Sequence, residues 1–456
     1  DYDRDGDLDL YRTETRMFGL AEMFGSKVQT VKDEYGEWRA DPRYNGEFVV
    51  VDGLAREMGT RDYLFRNDGA VDGLVRYTDV TREAGLSMGK EHGLAAVWWD
   101  MNNDMAPDLY ISNDFHTPDH LYQNDGKGGF VEVAEEALPY TSWSSMGSDF
   151  ADINNDGWFD YLSTDMSATS HFKQKTMMGA MVDTAWFLDN LEPRQYMRNA
   201  LQVNTGTGKF LDVAFYAGLD STDWTWSGIF GDLDNDGLED AFFTNGIERN
   251  VQDSDAAAAR IKAKSEGATE EELHEQLLSG PRFKEKNLVF KNQGGFEFSN
   301  ESESWRLDDE TVSHGAVLVD LDRDGDLDLV VSNMNDPVGI YRNDSSGQKA
   351  ILVSLVGEES NRFGLGARIE AVLSDGQKLS RMVTSSRGYM SGVEAVTHFG
   401  LGENELVKEM VVRWPSGRVQ SFADVKAGYH YRVSESGEEA NEEANEEEDV
   451  EALFVA

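Results

Sequence analysis

The chain has 456 residues, 39% hydrophobic and 11% aromatic, enough to fill one large folded unit and a smaller one. Its 86 Asp and Glu against 41 Lys and Arg leave a formal charge of −45, which repels a phosphate backbone. With no polybasic stretch to offset that charge, neither nucleic acid nor anionic lipid is an expected partner. The absence of cysteine removes disulfide frameworks, thiolate metal sites and cysteine nucleophiles together. No run approaches the roughly 20 apolar residues of a membrane span, so no membrane insertion is expected.

From the N-terminus onward a nine-residue acidic loop recurs five times, beginning at residues 1, 100, 152, 232 and 320. Each copy carries Asp at its first, fifth and ninth positions and Asp or Asn at its third. The candidate metal ligands are therefore Asp1, Asp3, Asp5 and Asp9; Asp100, Asn102, Asp104 and Asp108; Asp152, Asn154, Asp156 and Asp160; Asp232, Asp234, Asp236 and Asp240; and Asp320, Asp322, Asp324 and Asp328. Alternate residues of a tight loop point their oxygens inward, and calcium takes six to eight such oxygens. The carbonyl of position seven can add one more. Gly at position six suits the positive φ of the turn, and Met105 breaks that rule in the second loop. Without a cation, each pair of carboxylates about 5 Å apart costs roughly 1–3 kcal/mol. About five Ca²⁺ sites are expected. An EF-hand is rejected, because the twelfth residues are Arg12, Ile111, Ser163, Phe243 and Val331 rather than Glu. The chain opens inside the first repeat, which predicts further sequence upstream.

A hairpin follows each loop: Leu64 to Gly69, Leu121 to Gly126, Leu201 to Gly206, Leu288 to Gly294 and a shortened copy at Ile340 to Asp344. Alternating apolar residues followed by Asn-x-Gly read as strand, turn, strand. Segments Phe130 to Ala137 and Phe210 to Ala217 are expected to extend two of these hairpins. Strand, acidic loop, strand and hairpin make a unit of about four strands, the period of a propeller blade. Helical insertions are expected at about 166–198, where Met177, Met178, Met181, Trp186 and Leu188 have helical spacing, and at about 251–280. In the second, Thr269-x-x-Glu272 is a capping box beyond a break at Gly267.

From 349 to about 434 the repeats stop, and strands are expected at Ala350 to Val356, Ala367 to Leu373, Lys378 to Thr384 and Lys408 to Trp414. Residues 435–456 form an acidic tail with an apolar end, Val450 to Ala456. That end is read as free, with docking as a strand on this chain or on a second copy as the alternative.

The five loops resemble FG-GAP/VCBS-type repeats, whose family forms calcium-binding propellers in integrin α-chain heads and in many secreted bacterial proteins. Residues Asn361 to Ala367, Gly388 to Ser391, His398 to Gly402 and Val412 to Gly417 resemble the ASPIC/UnbV domain. Together they are similar to the cartilage acidic protein 1-like family, in a bacterial form without the cysteine-rich additions of animal relatives. The resemblance implies an all-β chain: a propeller over 1–345 with five visible repeats and up to seven blades, a small β-sandwich-like domain over 349–434, and short helical insertions.

Signs of catalysis are few. No Gly-x-Ser-x-Gly, His-Glu-x-x-His or Walker loop occurs, and no catalytic residue is assigned. His116 and His120 could bind a transition metal, but a plain loop is the favoured reading. Trp143, Trp224 and Trp226 are candidates for a lectin-like surface, with core packing favoured. Asn300 and Asn343 head glycosylation sequons. The expected function is a calcium-stabilised binding or adhesion scaffold, secreted or cell-surface, with the periplasm as an alternative. Its partner would be a protein or a glycan, with self-assembly through the tail as a further expectation. A carbohydrate-active enzyme on a propeller face and an accessory assembly factor are the alternatives.

Overall fold

A computed structural model of the chain describes residues 1–15, 29–33, 38–41, 43, 48–51, 54–114, 117–176, 193–249, 253–280, 282–345, 347–437 and 441–444. The fold is almost entirely β. Five antiparallel meanders follow one another in sequence. The second runs through Gly93–Trp99, Asp108–Asn113, His120–Asn124 and Phe130–Glu132, and the third through Ser148–Ala151, Asp160–Ser163, Ala200–Asn204 and Phe210–Asp212. The fourth uses Asp223–Gly231, Asp240–Asn245, Leu288–Asn292 and Phe298–Asn300, with Met166–Ser167 added at its first strand. The first (Leu10–Arg12, Tyr63–Val71, Leu74–Asp79) and fifth (Ser313–Val319, Asp328–Asn333, Gly339–Tyr341) have three strands each.

Alternation explains the stacking. In Gly93–Trp99 every second residue is buried, so one face of the strand is closed off. Successive sheets then bury a separate apolar cluster between each pair. Between the second and third lie Val97, Trp99, Tyr161 and Phe210; between the third and fourth, Leu162, Leu201, Phe230 and Phe243. Trp99 stands 5.7–5.9 Å from the rings of Phe150, Tyr161 and Phe210, a contact set whose truncation to Ala costs about 3–5 kcal/mol. Sheets packed face to face in sequence order make a propeller-like arrangement.

Two of the expected strand extensions turn instead into single helical turns, Ala134–Ala137 and Ala214–Ala217. Alanines three apart bury Ala134 and Ala137, and Ala214 and Ala217, against the neighbouring sheets, which an extended chain would not do. In the first insertion a helix occupies His171–Thr176, while Met177, Met178, Met181, Trp186 and Leu188 lie outside the described residues. The second holds helices Ser254–Ser265 and Glu270–Leu278, separated at Gly267, with the capping box between Thr269 and Glu272 closed.

The C-terminal strands form a two-sheet sandwich. One sheet runs Val396–Gly402, Lys349–Val356, Tyr429–Ser434 and Asn441–Ala444; the other Lys378–Met382, Arg368–Leu373, Leu406–Arg413 and Val419–Lys426. Between them Ile351, Ile369, Phe399, Met410, Trp414 and Val433 are fully buried. Part of the acidic tail joins the sandwich: the backbone of Asn441–Ala444 pairs with Tyr429 to Arg432. The open ladder of that edge supplies partners, and charge is tolerated on an edge strand. Val450 to Ala456 lie outside the described residues.

One hairpin, Ser386–Arg387 with Ser391–Gly392, leaves the sandwich and enters the middle of the repeat region. It touches the first strand of four sheets: Ser386 Oγ donates to Ala96 O, Gly388 N to Ser148 O, Tyr389 N to Ser227 Oγ, and Ser391 Oγ accepts from Ala316 N. Gly388 has φ +63, and a Cβ there would stand 2.2 Å from Ser227 Oγ. Only glycine fits.

Candidate functional site

All five acidic loops share one hydrogen-bonded frame. The position-one carboxylate accepts the N–H of residue six in each copy: Gly6 to Asp1 (3.2 Å), Met105 to Asp100 (2.9 Å), Gly157 to Asp152 (2.9 Å), Gly237 to Asp232 (2.7 Å) and Gly325 to Asp320 (3.0 Å). The position-five carboxylate accepts the N–H of residue seven at 2.8–3.0 Å in each. Position six has positive φ throughout, and Met105 adopts it at +66, so the loop that lacks glycine keeps the same backbone at a local cost of about 1–2 kcal/mol.

Position nine ties loop to hairpin. The two oxygens of Asp9, Asp108, Asp160, Asp240 and Asp328 accept the N–H of residue two of their own loop and that of the hairpin asparagine, Asn67, Asn124, Asn204, Asn292 and Asn343 respectively. The asparagine Oδ1 then closes the turn by accepting the N–H two residues on.

Three loops bring carboxylate oxygens of three residues within 4.8 Å of one another: Asp1, Asp3 and Asp5; Asp232, Asp234 and Asp240; Asp320, Asp322 and Asp328. In each, one buried oxygen has no hydrogen-bond partner: Asp3 Oδ1, Asp234 Oδ1 and Asp320 Oδ1. A buried carboxylate oxygen without a donor, facing others of like charge, is what a hard cation satisfies. The second and third loops differ because position three is Asn. Asn102 Nδ2 and Asn154 Nδ2 donate to Asp104 and Asp156, both at 2.9 Å, so an amide relieves part of the repulsion there. In the fourth loop the Lys291 ammonium bonds both Asp234 and Asp236.

Burial works against ionisation at these positions. Desolvation lifts Asp152 and Asp320 to about 6, and raises Asp100, Asp108, Asp160, Asp232, Asp240 and Asp328 by the same cause. A cation held among them would favour the charged form. The donor set, all oxygen and strongly anionic, fits calcium.

The sandwich sits directly on this face. Asn361 Nδ2 reaches Asp1 Oδ2 at 3.2 Å; Arg368 bonds Asn103 Oδ1 and Gly157 O; Gly402 N donates to Asn235 O; and His398 Nε2 meets Gly325 O at 3.1 Å. Every loop is contacted. A Cβ at Gly400 would lie 1.9 Å from Asp232 Oδ2, which explains the glycine of His398-Phe399-Gly400. Arg387 grips Asp149 with Nε (2.7 Å) and Nη2 (2.6 Å) and also donates to Phe230 O.

Other candidate sites resolve into structure. His120 holds Glu132 through Nδ1 (2.7 Å) and Glu91 through Nε2 (2.9 Å). Burial alone would lower its pKa, but the two carboxylates raise it to about 10, so both ring nitrogens serve an ion cluster rather than a metal. His116 lies outside the described residues. Trp143 and Trp224 are buried, and the half-buried Trp226 packs on His314 and Tyr389. Asn343 uses its amide on Leu233 O and Leu327 O, whereas Asn300 is exposed.

Comparison with known proteins matches residues 357–440 to the family described as ASPIC and UnbV and residues 100–163 to the FG-GAP-like repeat. The chain pairs an FG-GAP-like repeat with an ASPIC/UnbV domain. Among curated relatives it is similar to cartilage acidic protein 1 of Mus musculus, 25% identical over 353 residues, 76% of this chain and 46% of that protein. The Xenopus tropicalis protein is 24% identical over 420 residues, 90% of this chain and 55% of that one. The chain spans about half the length of these relatives. A solved lectin from Agrocybe aegerita, described for recognition of non-reducing terminal N-acetylglucosamine, aligns over 65% of this chain and 61% of its own at 14% identity and a TM-score of 0.32, too remote to carry an argument.

Arg368, Arg387, His398 and Asn361 of the ASPIC/UnbV region, and the asparagines at loop position four, were not singled out by spacing. The last had a signal: Asn103, Asn155 and Asn235 recur at one position of the FG-GAP-like unit.

Proposed function

We propose that this protein is an extracellular, calcium-stabilised binding scaffold without catalytic activity. FG-GAP-like repeats and the similarity to cartilage acidic protein 1 fit a binding role. The observation that carries the calcium reading is the unpartnered buried oxygen in each of the three carboxylate clusters. Calcium would be held by the Asp or Asn side chains at positions one, three, five and nine and by the carbonyl of position seven, and would supply the positive charge that those buried groups need. The absence of an enzyme function is supported by the matched families, which are not enzyme families. A protein or glycan partner then engages the outer surfaces, and self-association through the tail remains part of the proposal.

The test is thermal unfolding of the chain with calcium and with chelator. Each saturated site adds about 2.7 kcal/mol when calcium stands a hundredfold above its Kd. A large rise in Tm with calcium, and a smaller one with magnesium, is expected. An unchanged Tm after chelation would remove the calcium reading.

A further inference from the structure

The five loops are not separate sites in this fold. Each hairpin asparagine after Asn67 joins two of them. Its backbone N–H holds the position-nine carboxylate of its own loop, while its Nδ2 donates to the position-two carbonyl of the loop before: Asn124 to Tyr2 O (2.8 Å), Asn204 to Met101 O (2.7 Å), Asn292 to Ile153 O (2.9 Å) and Asn343 to Leu233 O (2.7 Å). The same Nδ2 also reaches the position-eight carbonyl of its own loop. Position two lies between the ligand positions one and three, so one amide fixes the ligand-bearing backbone of one loop and a ligand carboxylate of the next.

A second set of links runs in parallel. The residue at position four takes positive φ in all five copies, from +55 to +63, which turns its side chain toward the following loop. Asn103 Nδ2 donates to Gly157 O (3.2 Å), Asn155 Nδ2 to Gly237 O (3.0 Å) and Asn235 Nδ2 to Asp326 Oδ1. Asparagine suits this place because it tolerates the left-handed conformation and still presents an amide donor. From the second loop to the fifth, every adjacent pair is therefore stitched twice.

We infer that the five acidic loops bind divalent cations as one cooperative array, with Asn124, Asn204, Asn292 and Asn343 as the positioning residues that couple neighbours. Two sites that share a rigid hydrogen-bonded element bias one another: ordering one loop around a cation places the backbone of the next, and the coupling is reciprocal. Binding is then steeper than a single-site isotherm. Loss of both links between two neighbours splits the array into two blocks, and loss of one weakens the coupling across that junction.

This inference rests on the calcium reading above, and the experiment separates the two. Calcium is titrated calorimetrically into the chelator-treated full chain and into Asn292→Ala and Asn155→Ala. Wild-type binding steeper than independent sites is expected, with each variant showing a shallower isotherm and an affinity loss of about fivefold or more. A readout that mere structural damage would not move comes from Asp156→Ala, which removes a ligand of the third loop. It should weaken the sites on both sides in the wild-type background, whereas beside Asn155→Ala plus Asn292→Ala it should leave the fourth and fifth sites unchanged and still weaken the first and second. Wild-type binding with independent sites, or variants identical to wild type in shape and affinity, would overturn the coupling alone; no calcium binding to the wild type would overturn the calcium reading itself. Should Asn292→Ala fail to fold, Asn155→Ala, at a half-buried loop position, decides the matter, and Asp156→Ala is then read beside Asn155→Ala alone.

Discussion

Asp322 lies on the exposed side of the fifth loop, with an oxygen within 4.8 Å of those of Asp320 and Asp328. Its effect on stability should change sign with the solution. In saturating calcium, Asp322→Ala is expected to lower unfolding free energy by about 2–3 kcal/mol, the loss of one occupied site. Under chelator the same change should be neutral or stabilising, because it removes a like charge beside two others. Denaturant titrations in both buffers check this. Glu435 is a second residue whose charge is built into the fold: Oε2 accepts the N–H of Glu358 (2.7 Å), Glu359 (2.9 Å) and Ser360 (2.9 Å), and Oε1 the hydroxyls of Ser360 and Ser416. Burial pushes its pKa up, but these donors outweigh it and hold the carboxyl at about 2. A depressed folded value stabilises the protein above the unfolded pKa near 4.5, and that contribution fades as pH falls through 2. Glu435→Gln should therefore cost about 2–3 kcal/mol at pH 7, with the gap to wild type closing between pH 4.5 and 2. The aspartates of the five loops are legible as candidate ligands because a repeat announces itself by spacing. Glu435 is not, since it sits among many acids and its three backbone donors lie some 75 residues away.

At the scale of an element, the hairpin at 386–392 shows where sequence patterns stop informing. Strands of the sandwich such as Arg368–Leu373 are readable from alternation and turn residues, whereas in Val419–Lys426 the alternation breaks at Asp424, which takes positive φ. The hairpin is short, polar and glycine-containing, and nothing periodic says that it enters the middle of another unit. Its anchor is the bidentate pair of Arg387 with the buried Asp149. Removing the arginine leaves the buried Asp149 holding the N–H of Phe230, with its charge uncompensated. Arg387→Ala is expected to destabilise by about 3–5 kcal/mol, and Arg387→Met with Asp149→Leu by much less, because the cost lies in the uncompensated charge. Equilibrium unfolding of both variants against wild type measures the difference.

Over the whole molecule the net charge of −45 is the dominant long-range term. Like charges spread over one compact body repel, and salt screens them within a Debye length of about 8–10 Å. With calcium chelated, raising ionic strength should therefore lift Tm; with calcium bound, the same salt should matter less, because the densest clusters are already neutralised. Thermal scans across a sodium chloride series in the two buffers decide it. Composition made this expectation available at once. What composition could not provide was the seating of the sandwich over all five loops, which depends on contacts such as that of Arg368 with Asn103, 265 residues apart.

That sequence distance has a consequence for how the chain reaches its native state. Ser386 Oγ bonds Ala96 O across 290 residues, and the tip of the hairpin reaches strands made much earlier in synthesis. Such closures raise contact order and slow folding. The inner strands of the early sheets must wait, with their channel-facing groups uncovered, until the last third of the polypeptide has emerged. The hairpin is thus a late keystone, and chains truncated before residue 392 are expected to aggregate more readily than the full chain.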